Sequence, residues 1–266
     1  MMNVKLENDV RKIVETKGNF SILEYVRDAS VSMSNAQTEY FMQRMGVRRR
    51  QVLCSLNGSN SIVIQAGAMQ WFAGEVEATT GVKGAGDFLG KMVKGMATKE
   101  SAIKPEYVGD GLLMLEPTYK HLLLEDVASW GSGLVVEDGM FLACDGSVSR
   151  DVIARSTLSS AVAGNEGLFN LCMRGNGIAV LESNVPREEL IEIEMQNDVI
   201  KIDGSMAVCW SSSLQFTVER SSKTLIGSAA SGEGLVNVYR GTGKILMSPV
   251  ALTSSFAAAT LGGIPR

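Results

Sequence analysis

Short apolar runs alternate with glycine-containing turns along most of this chain, and three of these segments resemble one another. Residues 61–69, 133–141 and 199–206 each contain a β-rich apolar run, a turn glycine and a second apolar segment. Apolar runs of about four to eight residues, bounded by turn residues, are typical of strands. The pattern therefore predicts three copies of one β-unit.

A second motif, Gly-x-Gly followed by an apolar run, recurs at a constant interval of 66 residues. Glycine tolerates positive φ, and Asp, Asn or Thr between the glycines favours turns, so we expect a tight turn within a hairpin. A phosphate-binding loop is the alternative, but such a loop precedes a helix and a β-like run follows each motif here. The motif glycines are Gly109, Gly111, Gly175, Gly177, Gly241 and Gly243.

These copies predict an all-β fold with three repeated β-sandwich modules in one chain. We expect the modules at residues 50–118, 119–184 and 185–250, after an N-terminal extension (1–49) and before a C-terminal tail (251–266). One module of about 65 residues has a marginal core, and neighbouring modules can bury one another's apolar faces.

Two local features refine this picture. The apolar residues between Val4 and Val14 are compatible with a short amphipathic helix in the extension. Pro105 predicts that its stretch of the first module lies at a sheet edge, because proline lacks the N–H that a central strand needs.

Composition narrows the classes of function. The 266 residues include 25 Lys and Arg against 29 Asp and Glu, a formal charge of −4, whereas a general polyanion binder would carry a basic surplus. The chain has one histidine, and its four cysteines lack metal-ligand spacing, so we expect no metal and treat the cysteines as small apolar side chains in a reducing compartment. We find no leader pattern and no apolar run of about 20 residues, and therefore expect a cytoplasmic protein without a membrane span.

Three motifs together carry a family resemblance: residues 65–69, 137–143 and 231–236. In this order and spacing they resemble the altered-inheritance-of-mitochondria protein 24 family, also called the mitochondrial biogenesis family, over about residues 50 to 250. The resemblance implies three modules similar to the trp RNA-binding attenuation protein, each a β-sandwich related to the double-stranded β-helix. It also implies trimers that form a ring of modules, and it implies no catalytic residues.

Repeated polar residues are the candidates for a ligand site. Glu166 and Glu233 stand before equivalent Gly-Leu pairs, and Arg174 and Arg240 stand directly before two of the Gly-x-Gly motifs. A glutamate beside a glycine also fits an ordinary turn. Because the first copy has Val108 in place of the arginine, no basic position is common to all three copies, and RNA binding does not carry over with the fold.

Two further candidates have simple structural explanations. Arg48, Arg49 and Arg50 form the most basic run, which suits an anionic partner or nucleic acid, although a solvated strand entry or ion pairs with neighbouring acids are the favoured interpretations. His121 is the one residue for histidine-based acid–base chemistry, and an ordinary hydrogen-bonded histidine is favoured over a catalytic one.

The sequence therefore favours a non-enzymatic scaffold or binding protein that acts as a homo-oligomer, with a homotrimer as the expected state. A protein partner would fit this role, and no cofactor, metal or catalytic residue is predicted. The alternatives are a small-ligand-binding protein or enzyme with a pocket between modules, and nucleic-acid binding by analogy to the fold.

Overall fold

A computed structural model describes residues 4–79, 104–154, 169–204, 206–220 and 235–250. Almost all regular structure in these ranges is strand, which confirms the all-β prediction. The elements are β1 (Arg11–Lys17), β2 (Phe20–Tyr25), α1 (Ala36–Arg44), β3 (Arg50–Ile64), β4 (Met69–Thr79), β5 (Glu106–Leu115), β6 (His121–Asp126), β7 (Leu134–Val136), β8 (Phe141–Asp145), β9 (Ser149–Ala154), β10 (Phe169–Arg174), β11 (Ile178–Ser183), β12 (Ile191–Asp203), β13 (Ala207–Ser211), β14 (Gln215–Arg220) and β15 (Leu235–Met247), with 3-10 turns at Val127–Trp130 and Arg187–Glu189.

The described strands form two antiparallel sheets. The first has the order β1-β2-β3-β8-β11-β6, with β5 also paired to β3 and β4 paired to β5. The second has the order β12-β15-β13-β7-β10-β9, with β14 paired to β15. The predicted middle module, residues 119–184, is divided between them, because β6, β8 and β11 lie in the first sheet and β7, β9 and β10 in the second.

Strands from the middle of the chain are buried on both faces. In β6, Leu123 belongs to a central core between the sheets, while Leu122 and Leu124 belong to a core on the far side of the first sheet. In β7, Leu134 packs into the central core and Val135 into a third core on the far side of the second sheet. Burial on both faces explains why these strands are uninterrupted apolar runs.

The turn glycines of the three similar segments adopt the conformation that only glycine takes easily. Gly67, Gly139 and Gly204 have φ angles of 83°, 77° and 55°. They follow β3, β7 and β12, and the next strand begins within three residues of each glycine. After β3 and β12 the next strand belongs to the same sheet, and after β7 it belongs to the other sheet. A side chain with a Cβ is strained in this region of φ.

The prediction of hairpin turns at the Gly-x-Gly motifs is wrong. Residues 109–111 and 241–243 lie inside β5 and β15, opposite irregularities in the pairing with β3 and β12. Residues 175–177 do separate two strands, but β10 and β11 belong to different sheets, so the chain crosses between sheets there. Another backbone approaches the strand closely at these bends, so only glycine fits there. A Cβ on Gly111 would overlap the carbonyl oxygen of Ala73.

Two local predictions near the first module are also wrong. The segment from Val4 to Val14 contains the start of β1, which pairs with β2, and the predicted amphipathic helix is absent from its described residues. β2 in turn pairs with β3, so the predicted extension contributes two strands to the first sheet. Pro105 precedes β5, which is paired on both sides from its first residue, and the Pro105 carbonyl accepts a hydrogen bond from the Ile64 amide at 3.0 Å.

Candidate functional site

The two matched arginines lie on strands of the second sheet and engage carboxylates on neighbouring strands. Arg174 Nη1 is 3.0 Å from Asp151 Oδ2, across the β9–β10 pair. Arg240 donates to both carboxylate oxygens of Glu219 at 2.6 and 3.0 Å, across the β14–β15 pair. Both guanidinium groups are therefore neutralised within the chain rather than directed at a common ligand position.

Electrostatics at Glu219 follow from this geometry. Hydrogen bonds from Arg240, and then from Thr217, lower the pKa of the Glu219 carboxyl below its ordinary value. Reciprocally, the same carboxylate raises the pKa of Arg240. Glu166 and Glu233, the other members of the predicted site, lie outside the described residues.

The basic run at the start of β3 forms ion pairs, the second of the two favoured interpretations. Arg48 and Arg50 converge on the Glu24 carboxylate at 2.9 and 2.7 Å. Arg49 pairs with Asp28, and its guanidinium lies over the Tyr25 ring at 4.6 Å from the ring centroid. Three cations therefore share two carboxylates at this end of the first sheet.

A tyrosine connects the body of the protein to α1 beside this cluster. The Tyr119 hydroxyl donates to the Glu39 carboxylate, with distances of 3.0 and 3.1 Å to its two oxygens. Partial burial and this hydrogen bond raise the pKa of Tyr119 to about 12. Sequence reasoning missed this contact, because no local pattern relates residues 80 positions apart.

His121 begins β6, where its backbone pairs with Ser183 on β11. The side chain is half-buried, and burial, followed by the Arg50 charge, lowers the pKa of His121 against the opposing effect of nearby glutamates. A neutral imidazole is therefore favoured near neutral pH. The predicted hydrogen bond of this side chain stays a prediction.

All four cysteines are buried and none forms a disulfide. Burial raises the pKa of each thiol, most strongly at Cys54 and Cys209. Since the thiolate is the reactive form, these positions suit packing rather than nucleophilic chemistry. In the described parts of the chain, no three His, Cys, Asp or Glu side chains are grouped so as to hold a metal ion.

Two buried polar groups that the sequence did not single out organise the first sheet. Gln51 is buried, accepts from the Tyr25 hydroxyl at 2.8 Å and donates to Gln70 at 2.8 Å. Asp145 accepts from Asn19 at 2.8 Å and from the Ile178 amide at 2.7 Å. In the sequence, the only sign of these two groups is a polar residue within or at the end of an apolar strand. That sign is weak, because it does not show which partners the residue will meet.

The sequence model of the family described as Mitochondrial biogenesis AIM24 matches residues 42–250, which is most of the chain. The chain belongs to the mitochondrial biogenesis AIM24 family. This confirms the resemblance that the three motifs indicated.

Two relatives of this AIM24 family chain come from Streptococcus pyogenes. One is described as an uncharacterized protein and is 28% identical over 204 residues, which cover 74% of this chain and 80% of the relative. The other is the X-ray crystal structure of protein SPYM3_0169, with 25% sequence identity and a TM-score of 0.58 over 81% of this chain and 93% of that one. Neither description assigns a biochemical activity.

Among the described residues, none of the helices has the length and apolar character that crossing a bilayer requires.

Proposed function

We propose that this chain is a non-enzymatic scaffold or binding protein of the cytoplasm that acts as a homo-oligomer, with a homotrimer as the expected state. The observation that carries the proposal is the exposed edge of the second sheet. β12 is thirteen residues long and, among the described strands, pairs only with β15. It exposes Ile191 and Val199, and a long edge with exposed apolar side chains is a natural surface for association.

The chemistry of the described residues supports a role without catalysis. The thiols are buried with raised pKa values, and the arginines that match between copies are neutralised by carboxylates. The formal charge of −4 supports a role without nucleic acid, because a general polyanion binder would carry a basic surplus.

Strand pairing supports the three predicted modules. In the last part of the chain, β15 pairs with β14 through its first half and with β13 through its second half. In the middle, β10 pairs with β9 and β11 with β8, and residues 175–177 connect β10 to β11. In the first part, β5 corresponds to β15, and the single long strand β4 pairs with both halves of β5, in the places that β13 and β14 take beside β15. The same pairing order therefore fits all three parts, and in each part the Gly-x-Gly motif lies between the two halves of the last strand segment.

The oligomeric state tests this proposal directly. Light scattering coupled to gel filtration at micromolar concentration should give three times the 28.5 kDa chain mass. The paired substitution Ile191→Lys and Val199→Lys should lower that mass, because the lysines place charges on the β12 edge. Val14→Lys, at an exposed position of β1 in the first sheet, is the matched control.

A monomer at this concentration for the unmodified chain would refute the oligomeric proposal. If the β12 variant is still a trimer, the oligomeric proposal stands and the β12 edge is excluded as the interface. The small-ligand alternative has its own test: unchanged stability with lost binding of a small ligand in the Glu166→Gln and Glu233→Gln double variant would favour that alternative.

A further inference from the structure

Exposed apolar side chains are concentrated in one short part of the described structure. Residues 26–45 contain five exposed large hydrophobic side chains, and Met33, Met45 and Phe41 are 97%, 81% and 57% exposed. We call this surface the α1 face and define it by its five apolar members and two flanking arginines. Its residues are Val26, Arg27, Met33, Tyr40, Phe41, Arg44 and Met45.

The helix at the centre of the α1 face is attached to the protein without being packed into it. α1 contains no buried residue, and an isolated helix of nine residues is unstable in water. It is held by the Tyr119–Glu39 hydrogen bond and, through the preceding segment, by the Arg49–Asp28 ion pair. The structure thus holds a short helix at the surface with its two aromatic side chains exposed.

This surface is also basic in an acidic protein. Residues 24–50 contain five arginines and three carboxylates, a net charge of +2, whereas the whole chain carries −4. The three carboxylates are engaged, Glu24 and Asp28 by arginines and Glu39 by Tyr119. Arg48 and Arg50 share Glu24 and keep one positive charge, while Glu39 accepts from a neutral hydroxyl and keeps its negative charge. Arg27 and Arg44, beside the apolar side chains, supply the other two positive charges of this segment.

Arg44 lies directly within the α1 face. Its guanidinium donates to the Tyr40 hydroxyl at 2.9 Å and lies 5.2 Å from the Tyr40 ring centroid. Tyr40 also packs edge-to-face against Phe41, with 5.5 Å between ring centroids. An aromatic pair and a cation are therefore presented side by side, all three on the solvent side of the helix.

We propose that the α1 face docks on an anionic lipid membrane surface. Helices that lie at such a surface place aromatic and apolar side chains at the boundary between headgroups and acyl chains, and their arginines near lipid phosphates. Phe41, Met33 and Met45 would occupy the boundary, and Arg27 and Arg44 would meet the phosphates. The proposal goes beyond the scaffold role and does not depend on the oligomeric state.

A second copy of the chain fits this face less well. A symmetric contact would place the same patch of both copies together, and would bring the arginines of one copy to the patch that carries the arginines of the other. Like charges at close range in an apolar contact are unfavourable. A membrane that combines an apolar interior with anionic headgroups matches both properties of the face at once.

Vesicle sedimentation with the full chain tests this proposal. The unmodified protein should pellet with vesicles of phosphatidylcholine and phosphatidylglycerol, and not with phosphatidylcholine alone, and binding should fall as salt rises. Phe41→Ser with Met45→Ser should weaken binding at least about tenfold, since a loss of 1.4 kcal/mol already has that effect. Arg44→Glu should weaken binding and reduce its dependence on salt.

The control is Val152→Ser, which removes an exposed apolar side chain from β9 and should leave vesicle binding unchanged. Because α1 has no buried residue, the α1 variants should keep the unfolding midpoint of the parent. The proposal is overturned if the parent does not pellet with anionic vesicles, or if the control loses as much binding as the α1 variants. A change in light-scattering mass of the Phe41/Met45 variant, with vesicle binding retained, would instead identify a protein interface. A monomeric parent that still binds vesicles would overturn the oligomer and leave the membrane proposal standing.

Discussion

The side-chain amide of Asn19 donates a hydrogen bond to Asp145 Oδ1 at 2.8 Å. Asn19 lies in the turn between β1 and β2, and Asp145 ends β8, so the contact joins the N-terminal hairpin to the middle of the chain. The second carboxylate oxygen accepts from the Ile178 amide on β11 at 2.7 Å. One buried carboxylate therefore connects three separate parts of the first sheet.

We expect Asp145→Ala to lower the free energy of unfolding by about 1–3 kcal/mol, because it leaves a buried amide without its acceptor. Urea unfolding followed by fluorescence measures the change. Asp151→Asn is the control, since Asp151 is exposed and its pair with Arg174 should contribute at most about 1 kcal/mol. Equal losses in the two variants would contradict the importance of burial here.

Gly111→Ala should be more costly than a glycine substitution in open space. At Gly111 the new methyl group meets the Ala73 carbonyl and Val76, whereas at Gly58, with φ of 79°, nothing lies within 4 Å of it. Both variants suffer the strain of their φ angle, about 1–2 kcal/mol, and only Gly111→Ala adds overpacking of about 1–3 kcal/mol. Thermal unfolding of the two variants should separate them by several degrees, and indistinguishable midpoints would contradict the close approach of β4 and β5.

The native thiols should not react with a disulfide reagent at neutral pH. All four cysteines are buried, and burial raises the pKa of each thiol, so the reactive thiolate is scarce and inaccessible. Titration with Ellman's reagent should detect no thiol in the native protein and four after denaturation. A native thiol that reacts quickly would show that its environment is open.

The Glu219 carboxyl should titrate below its ordinary range, because Arg240 donates two hydrogen bonds to the charged form. A pKa that folding lowers contributes stability above the unfolded pKa, and this contribution disappears as pH falls through the folded pKa. Any stability difference between the parent and Glu219→Gln should therefore be present at pH 7 and vanish in acid. An NMR titration of the carboxyl checks the pKa, and Arg240→Met should return it toward its ordinary value.

Local chemistry accounts for what the sequence predicted correctly. Alternating apolar runs and turn residues indicate strands through backbone preference alone, and Gly67 and Gly139 are glycines because their φ angles are positive. The ion pairs of the Arg48–Arg50 run were one of two expected outcomes, and the contacts with Glu24 and Asp28 decide between them. Buried cysteines followed from their wide spacing and from the absence of partners with metal-ligand spacing.

Predictions that required knowledge of distant neighbours failed. The Gly109–Gly111 motif looks like a turn to local rules, and it is a bend in a continuous strand because β3 and β4 hold it from both sides. The segment from Val4 to Val14 has apolar spacing that suits a helix, and pairing with β2 makes its later part a strand. Backbone hydrogen bonds to a partner strand outweigh a weak local preference.

From its residues alone, this protein can be read as an all-β member of the AIM24 family with an acidic balance and little catalytic chemistry, because strand propensity, turn glycines and charge are properties of neighbouring residues. The division of the middle module between two sheets, the Asn19–Asp145 connection and the exposure of α1 depend on contacts between residues far apart in the chain. Those contacts arise only when the sheets bury their apolar faces against one another, and no local pattern encodes which strands will meet.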